Sequence, residues 1–70
     1  MSSYIQEGFV LQACHGKSAD GPYWHGGGEW GSFQGVLIYY SRGAMRSGLR
    51  EARQSKLDET AEIHAFGVYV

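Results

Sequence analysis

Apolar and polar positions alternate from Tyr4 to Cys14. Ile5, Phe9, Leu11 and Ala13 fall to one side, and Gln6, Gly8, Val10 and Gln12 to the other. A period of two predicts a half-buried strand, with Gly8 at a bulge. From His15 to Pro22 the chain is dense in turn formers, so Tyr23, Trp24 and His25 are expected to fold back on the first strand as a hairpin. Gly26, Gly27 and Gly28 end that strand. The stretch to Gly35 mixes glycine with Trp30 and Phe33 and reads as a loop pinned by its aromatic rings. Residues 34–40 are β-branched and aromatic, with Val36-Leu37-Ile38-Tyr39-Tyr40 apolar on both faces. They predict a central strand.

Ser41 is a suitable N-cap, and a helix is predicted from Arg42 to about Ser55. Its apolar side is Ala44, Met45, Gly48, Leu49 and Ala52. These are mostly small side chains that let a helix lie close to a sheet. Lys56 to Glu62 is a polar connection around Leu57. Ile63 to Val70 alternates again, with Ile63, Ala65, Gly67 and Tyr69 opposite His64, Phe66, Val68 and Val70. A helix between two strands favours a parallel pair with a right-handed crossover. The expected fold is a single α+β domain over residues 1–70, in the order β-β-β-α-β. It has one sheet of three to four strands with one helix on one face. The other face is left to solvent, a partner or a second copy.

Composition narrows the functional classes. With 43% hydrophobic residues and a net charge of −1, disorder is not expected. A chain of 70 residues buries only about 60% of its unfolded surface, so dimerisation would help it reach stability. Cys14 is the single cysteine, which forbids an internal disulfide and points to a reducing compartment. No secretory signal is read at the N-terminus. The longest apolar run, Val36 to Tyr40, is far short of a membrane span. A cytoplasmic protein is expected.

Charge is distributed unevenly. All four arginines, Arg42, Arg46, Arg50 and Arg53, lie in one stretch of the predicted helix, spaced 4, 4 and 3 apart. That spacing gathers them in one stripe, about 90° around the helix from the centre of Met45, Leu49 and Ala52. Guanidinium groups bind phosphates and carboxylates bidentately, so the stripe predicts an acidic partner. A sequence pI of about 6.2 is low for a nucleic-acid-binding domain. This favours an acidic protein surface over a phosphate backbone. Trp24, Trp30 and Tyr39 are candidate anchors beside the arginines, since Trp, Tyr and Arg dominate interface hot spots, while at least one of Trp24 and Trp30 is expected to plug the small core instead.

Other chemistry is weaker. Gly26, Gly28 and Gly31 satisfy G-x-G-x-x-G, but no helix opens at the last glycine, as dinucleotide binding requires. Cys14, His15, His25 and His64 match no structural zinc spacing. A Cys14 nucleophile would need a base and an oxyanion site in a cleft that so small a sheet does not offer. No catalytic residue, cofactor or metal is expected.

The order of signals carries a resemblance. A strand from Tyr4 is followed by Tyr23-Trp24, Trp30, the strand end Tyr39-Tyr40-Ser41, a capped helix and Glu62-Ile63. In size and element order the chain resembles the small host-takeover inhibitors of bacteriophages, anti-CRISPR proteins among them. The resemblance implies a non-enzymatic inhibitor in the cytoplasm of a bacterial host, occluding a host defence complex. A nucleic-acid-binding module and a homo-oligomeric structural subunit are the alternatives.

Overall fold

The first strand, β1 (Glu7–Cys14), organises the molecule because it is paired along both edges. The computed structural model describes residues 6–15, 21–56 and 59–69. One edge of β1 is taken along its whole length by β4 (Glu62–Tyr69), antiparallel from Glu7↔Tyr69 to Cys14↔Glu62. Two segments share the other edge. Near its end, β1 pairs with β2 (Tyr23–Gly26) at Gln12↔Tyr23, and the Ala13 N–H donates to the Pro22 carbonyl at 2.9 Å. Near its start, Phe9 and Tyr39 exchange two backbone hydrogen bonds of 2.7 and 2.8 Å. Outside β2 lies β3 (Glu29–Gly31), giving the sheet order β3-β2-β1-β4. With the single helix α1 (Arg42–Gln54), the fold is α+β in the order β-β-β-α-β.

Several sequence expectations are corrected here. The third strand is Glu29–Gly31, inside the stretch read as a loop. Gly27 and Gly28, both at positive φ (61° and 85°), form a two-residue turn closed by Gly26↔Glu29. Two consecutive left-handed residues are what a tight hairpin turn requires. Residues 34–40 are not a central strand. Gln34 and Gly35 form a turn, with the Val36 N–H donating to the Phe33 carbonyl at 3.0 Å, and the residues after it pass beside β1, bonded through Tyr39 to Phe9 and through the Leu37 N–H to the Trp24 carbonyl at 3.1 Å. No parallel pair forms among the described residues either. The Tyr39 segment and β4 both run antiparallel to β1, one on each side. They therefore point the same way, but β1 lies between them and every ladder is antiparallel. Gly8 marks no bulge: its register with Val68 is regular, and an added Cβ there would lie 2.6 Å from Ile38 Cγ2. The predicted positions Tyr4, Ile5, Leu57 and Val70 lie outside the described residues, as does 16–20 of the first turn.

The helix covers the sheet face that carries Leu11, Ala13, Trp24 and Ile63. These form the core with Ala52 and Ala61, and Trp30, Tyr39, Met45 and Leu49 pack at its rim. Ala44, expected on the packed side, is exposed. The opposite face of β1 is not bare, because Val10, Gln12 and Cys14 are also buried. β1 is thus buried on both faces rather than half-buried. Buried Gln12 is satisfied by donating from Nε2 to the Gly21 carbonyl at 2.9 Å.

Gly48 lets the helix lie directly against Tyr39. A Cβ at this position would run into the ring and hydroxyl of Tyr39, whereas one at Gly43 meets nothing within 4 Å. The same substitution should therefore have opposite signs at the two sites. Gly43→Ala gains helix propensity, up to ~1 kcal/mol. Gly48→Ala is expected to lose about 1–3 kcal/mol net, because forcing Tyr39 aside is overpacking. Urea denaturation of the two variants checks this; a stabilised Gly48→Ala would contradict the packing described.

Candidate functional site

α1 begins where the sequence places it. Ser41 has extended backbone (φ −145°, ψ 156°), and its Oγ accepts from the Ala44 N–H at 3.1 Å. The helix ends at Ser55, whose N–H donates to the Ala52 carbonyl at 3.0 Å. Trp30 Nε1 also donates to the Ser55 carbonyl at 2.8 Å, tying the helix end to β3. The rotation of α1 about its axis is set by Gly48 and Ala52, which are buried against the sheet.

With that rotation fixed, Arg42, Arg46, Arg50 and Arg53 are all exposed. At 100° per residue they occupy a sector about 80° wide, and at 1.5 Å per residue the stripe is about 16 Å long. Among the described residues, no arginine lies within ion-pair distance of a carboxylate. Glu51, also exposed, projects from the far side of the helix. Arg42 sits in the first turn, which contains no acidic residue. A cation there opposes the helix dipole at a cost of about 0.3–1 kcal/mol. Folding gains nothing from that placement.

The three aromatic anchors expected beside the stripe are turned inward. Trp24 is 0% exposed. Its ring lies 5.0 Å from that of Trp30, and its Nε1 donates to Tyr39 Oη at 3.1 Å. Trp30 and Tyr39 are half-buried at the core rim. Among the described residues, the exposed large apolar side chains are Phe33, Leu37, Tyr40, Phe66 and Tyr69. Propensity alone does not distinguish Tyr39 from Tyr40. The bridge to Phe9 turns Tyr39 onto the helix-covered face and leaves its neighbour outside.

Beyond the end of α1, an open groove is lined by Arg53, Lys56, Glu62, Ile63 and His64. It adds Lys56 to the cationic surface, a residue the stripe did not include. His64 Nε2 lies 3.3 Å from Glu62 Oε2, both exposed. Among the described residues, no three of His, Cys, Asp and Glu come together as a metal site. The buried Cys14 Sγ is 3.8 Å from the Gln12 carbonyl, and His25 Nε2 is 2.7 Å from the Ser32 carbonyl. No described helix is long and apolar enough to cross a membrane.

Burial raises the pKa of Tyr39 above its usual value, with the nearby charge of Glu51 adding to the rise and the Trp24 hydrogen bond opposing it. A pKa raised by folding means that the native state holds the proton more tightly. The stability linked to that proton is therefore fully present below pH 10, the ordinary tyrosine value, and is lost as pH rises through the native value. Tyr39→Phe leaves the Trp24 indole N–H without its acceptor, at about 1–3 kcal/mol near neutrality. The stability gap between wild type and this variant should narrow above pH 10. Urea midpoints measured from neutral to strongly alkaline pH test it, and a constant gap would count against the partly buried, hydrogen-bonded hydroxyl.

Compared with protein-family models, curated proteins and solved structures, the chain has no match.

Proposed function

We propose that this chain is a small non-enzymatic binding protein that docks the arginine face of α1 on an acidic surface of a partner protein. One observation carries the reading: four arginines lie exposed in a single stripe, with no acidic partner among the described residues. A solvated helix face of no function would intersperse acids among its bases. The mechanism is steric occlusion of the surface the stripe covers. Following the resemblance to phage-borne host-takeover inhibitors, we assign the partner to a host protein complex in the bacterial cytoplasm.

Nucleic acid remains the competing partner for arginines, but two observations disfavour it. The net charge is −1. The stacking platforms expected beside the stripe, Trp24, Trp30 and Tyr39, are committed to the core and its rim. Tyr40, immediately before the helix cap and 52% exposed, replaces them as the aromatic beside the arginines. A titration against labelled mixed-sequence single- and double-stranded oligonucleotides separates the two readings. At physiological salt, binding no tighter than the ~10⁻⁴ M weak limit of non-specific association is expected. Tight binding that falls steeply with salt would transfer the stripe to phosphate.

A further inference from the structure

We infer that β4 is a homodimerisation edge: two copies pair β4 against β4 antiparallel, with Phe66 opposite its own copy, forming one continuous sheet.

Hydrogen-bond parity identifies the free groups. Phe9 spends both its N–H and its C=O on Tyr39, so they point away from β4. Bonding direction alternates along an antiparallel strand. The residues opposite Glu7, Phe9, Leu11 and Ala13 are Tyr69, Gly67, Ala65 and Ile63. Their N–H and C=O groups therefore face the outer edge, where no further strand lies among the described residues. Edge strands are ordinarily protected by lysine, proline or a bulge. Glu62–Tyr69 contains neither lysine nor proline, and its register is unbroken.

The sequence of this edge is complementary to itself. With Phe66 on the twofold axis, Ile63 pairs with the partner's Tyr69, and Ala65 with the partner's Gly67. All four outward-facing residues of each copy are thereby used. Phe66, 39% exposed and stacked on His64 at 6.4 Å, falls at a non-hydrogen-bonded pair. There, opposed Cβ atoms are about 4.5–5.5 Å apart. Glu62 and His64, the carboxylate and the imidazole of the strand, sit at one end. Antiparallel pairing sends the two copies of that end apart, so like charges do not meet.

A groove and an exposed ring match this register. Tyr69 is 73% exposed and shares the helix-covered face with Ile63. Opposite Ile63, the second copy's ring enters the groove lined by Arg53, Lys56, Glu62, Ile63 and His64, where its face meets two cations. Each copy supplies both the groove and the side chain that fills it, which is the isologous arrangement of a twofold dimer. This is why a second copy, and not a foreign strand, is the occupant. The axis stands perpendicular to the sheet. Both helices then lie on the same side, and the two arginine stripes form one doubled cationic face.

Sedimentation equilibrium of wild type, Phe66→Lys and Ala65→Pro tests the inference, with far-UV circular dichroism as the fold control. The Ala65 N–H points outward, so proline there removes no bond to β1. Wild type is expected at twice the 7.7 kDa chain mass, and both variants at the chain mass with the fold retained. Should Ala65→Pro not fold, Phe66→Lys decides alone. Phe66→Cys reads the register. Cα atoms of a non-hydrogen-bonded pair lie about 4.5 Å apart, within disulfide range, so oxidation should cross-link it. His64→Cys, facing the partner's Val68, should remain uncross-linked. A wild-type monomer up to millimolar concentration, or a dimer indifferent to Phe66→Lys, overturns the inference.

Discussion

Exchanging Arg46 and Arg50 together for glutamate is expected to abolish partner binding while the domain remains folded. Both side chains are exposed at the centre of the stripe. An arginine at the centre of an interface typically contributes about 2 kcal/mol or more when truncated, and reversing the charge adds repulsion from an acidic surface. Two such sites amount to at least about 4 kcal/mol, a loss on the order of a thousandfold in affinity. The fold should change by no more than about 0.5 kcal/mol, because neither residue touches the core. Calorimetric titration with the partner and a thermal melt of the variant give the two numbers. Unchanged affinity, or a lost melting transition, would each remove the arginine face from the account.

Trp24→Ala is expected to act in the opposite way, on folding rather than on docking. Trp24 is the largest fully buried side chain and holds three elements together. Its ring packs on Trp30 of the hairpin, its indole N–H reaches Tyr39 of the extended segment, and it shares the core with Ala52 of the helix. Deleting a buried tryptophan costs about 3–5 kcal/mol. For a domain of 70 residues the whole stability is about 4–10 kcal/mol. The variant should melt at least ~12 °C lower or fail to fold. Trp24→Phe keeps an aromatic ring at the site and loses the hydrogen bond to Tyr39 and part of the packed volume, so it should suffer less. A Trp24→Ala protein with wild-type stability but weakened binding would instead return this residue to the interface.

The helix was the most legible part of the chain. Ser41 and the 4, 4, 3 arginine spacing are local signals, and the structure places α1 at Arg42–Gln54 against an expected end near Ser55. Its exposed face followed from the small apolar residues, because Gly48 and Ala52 decide which side meets the sheet. The sheet was less legible, since strand propensity reports a fit to a half-buried pleated surface and not the presence of a partner. Residues 36–40 have that propensity, but β2 already pairs with the far part of the β1 edge, and only Tyr39 bridges to β1. Conversely, β3 has only three residues and little propensity. Its signal was the Gly27-Gly28 pair between Trp24 and Trp30, a hairpin turn that reads as loop when the glycines are taken for a terminator. Trp24 is withdrawn from the surface for a related reason. Aromatic residues serve cores and interfaces alike, and in so short a chain the core claimed Trp24 first.

The most direct test of the docking claim is capture from a bacterial lysate on tagged wild type and on the Arg46→Glu/Arg50→Glu variant, each with and without nuclease. A defined protein complex held by wild type after nuclease treatment, and absent from the variant, is the expected result. Capture that vanishes with nuclease, or that the variant retains in full, would contradict an arginine face built for an acidic protein surface.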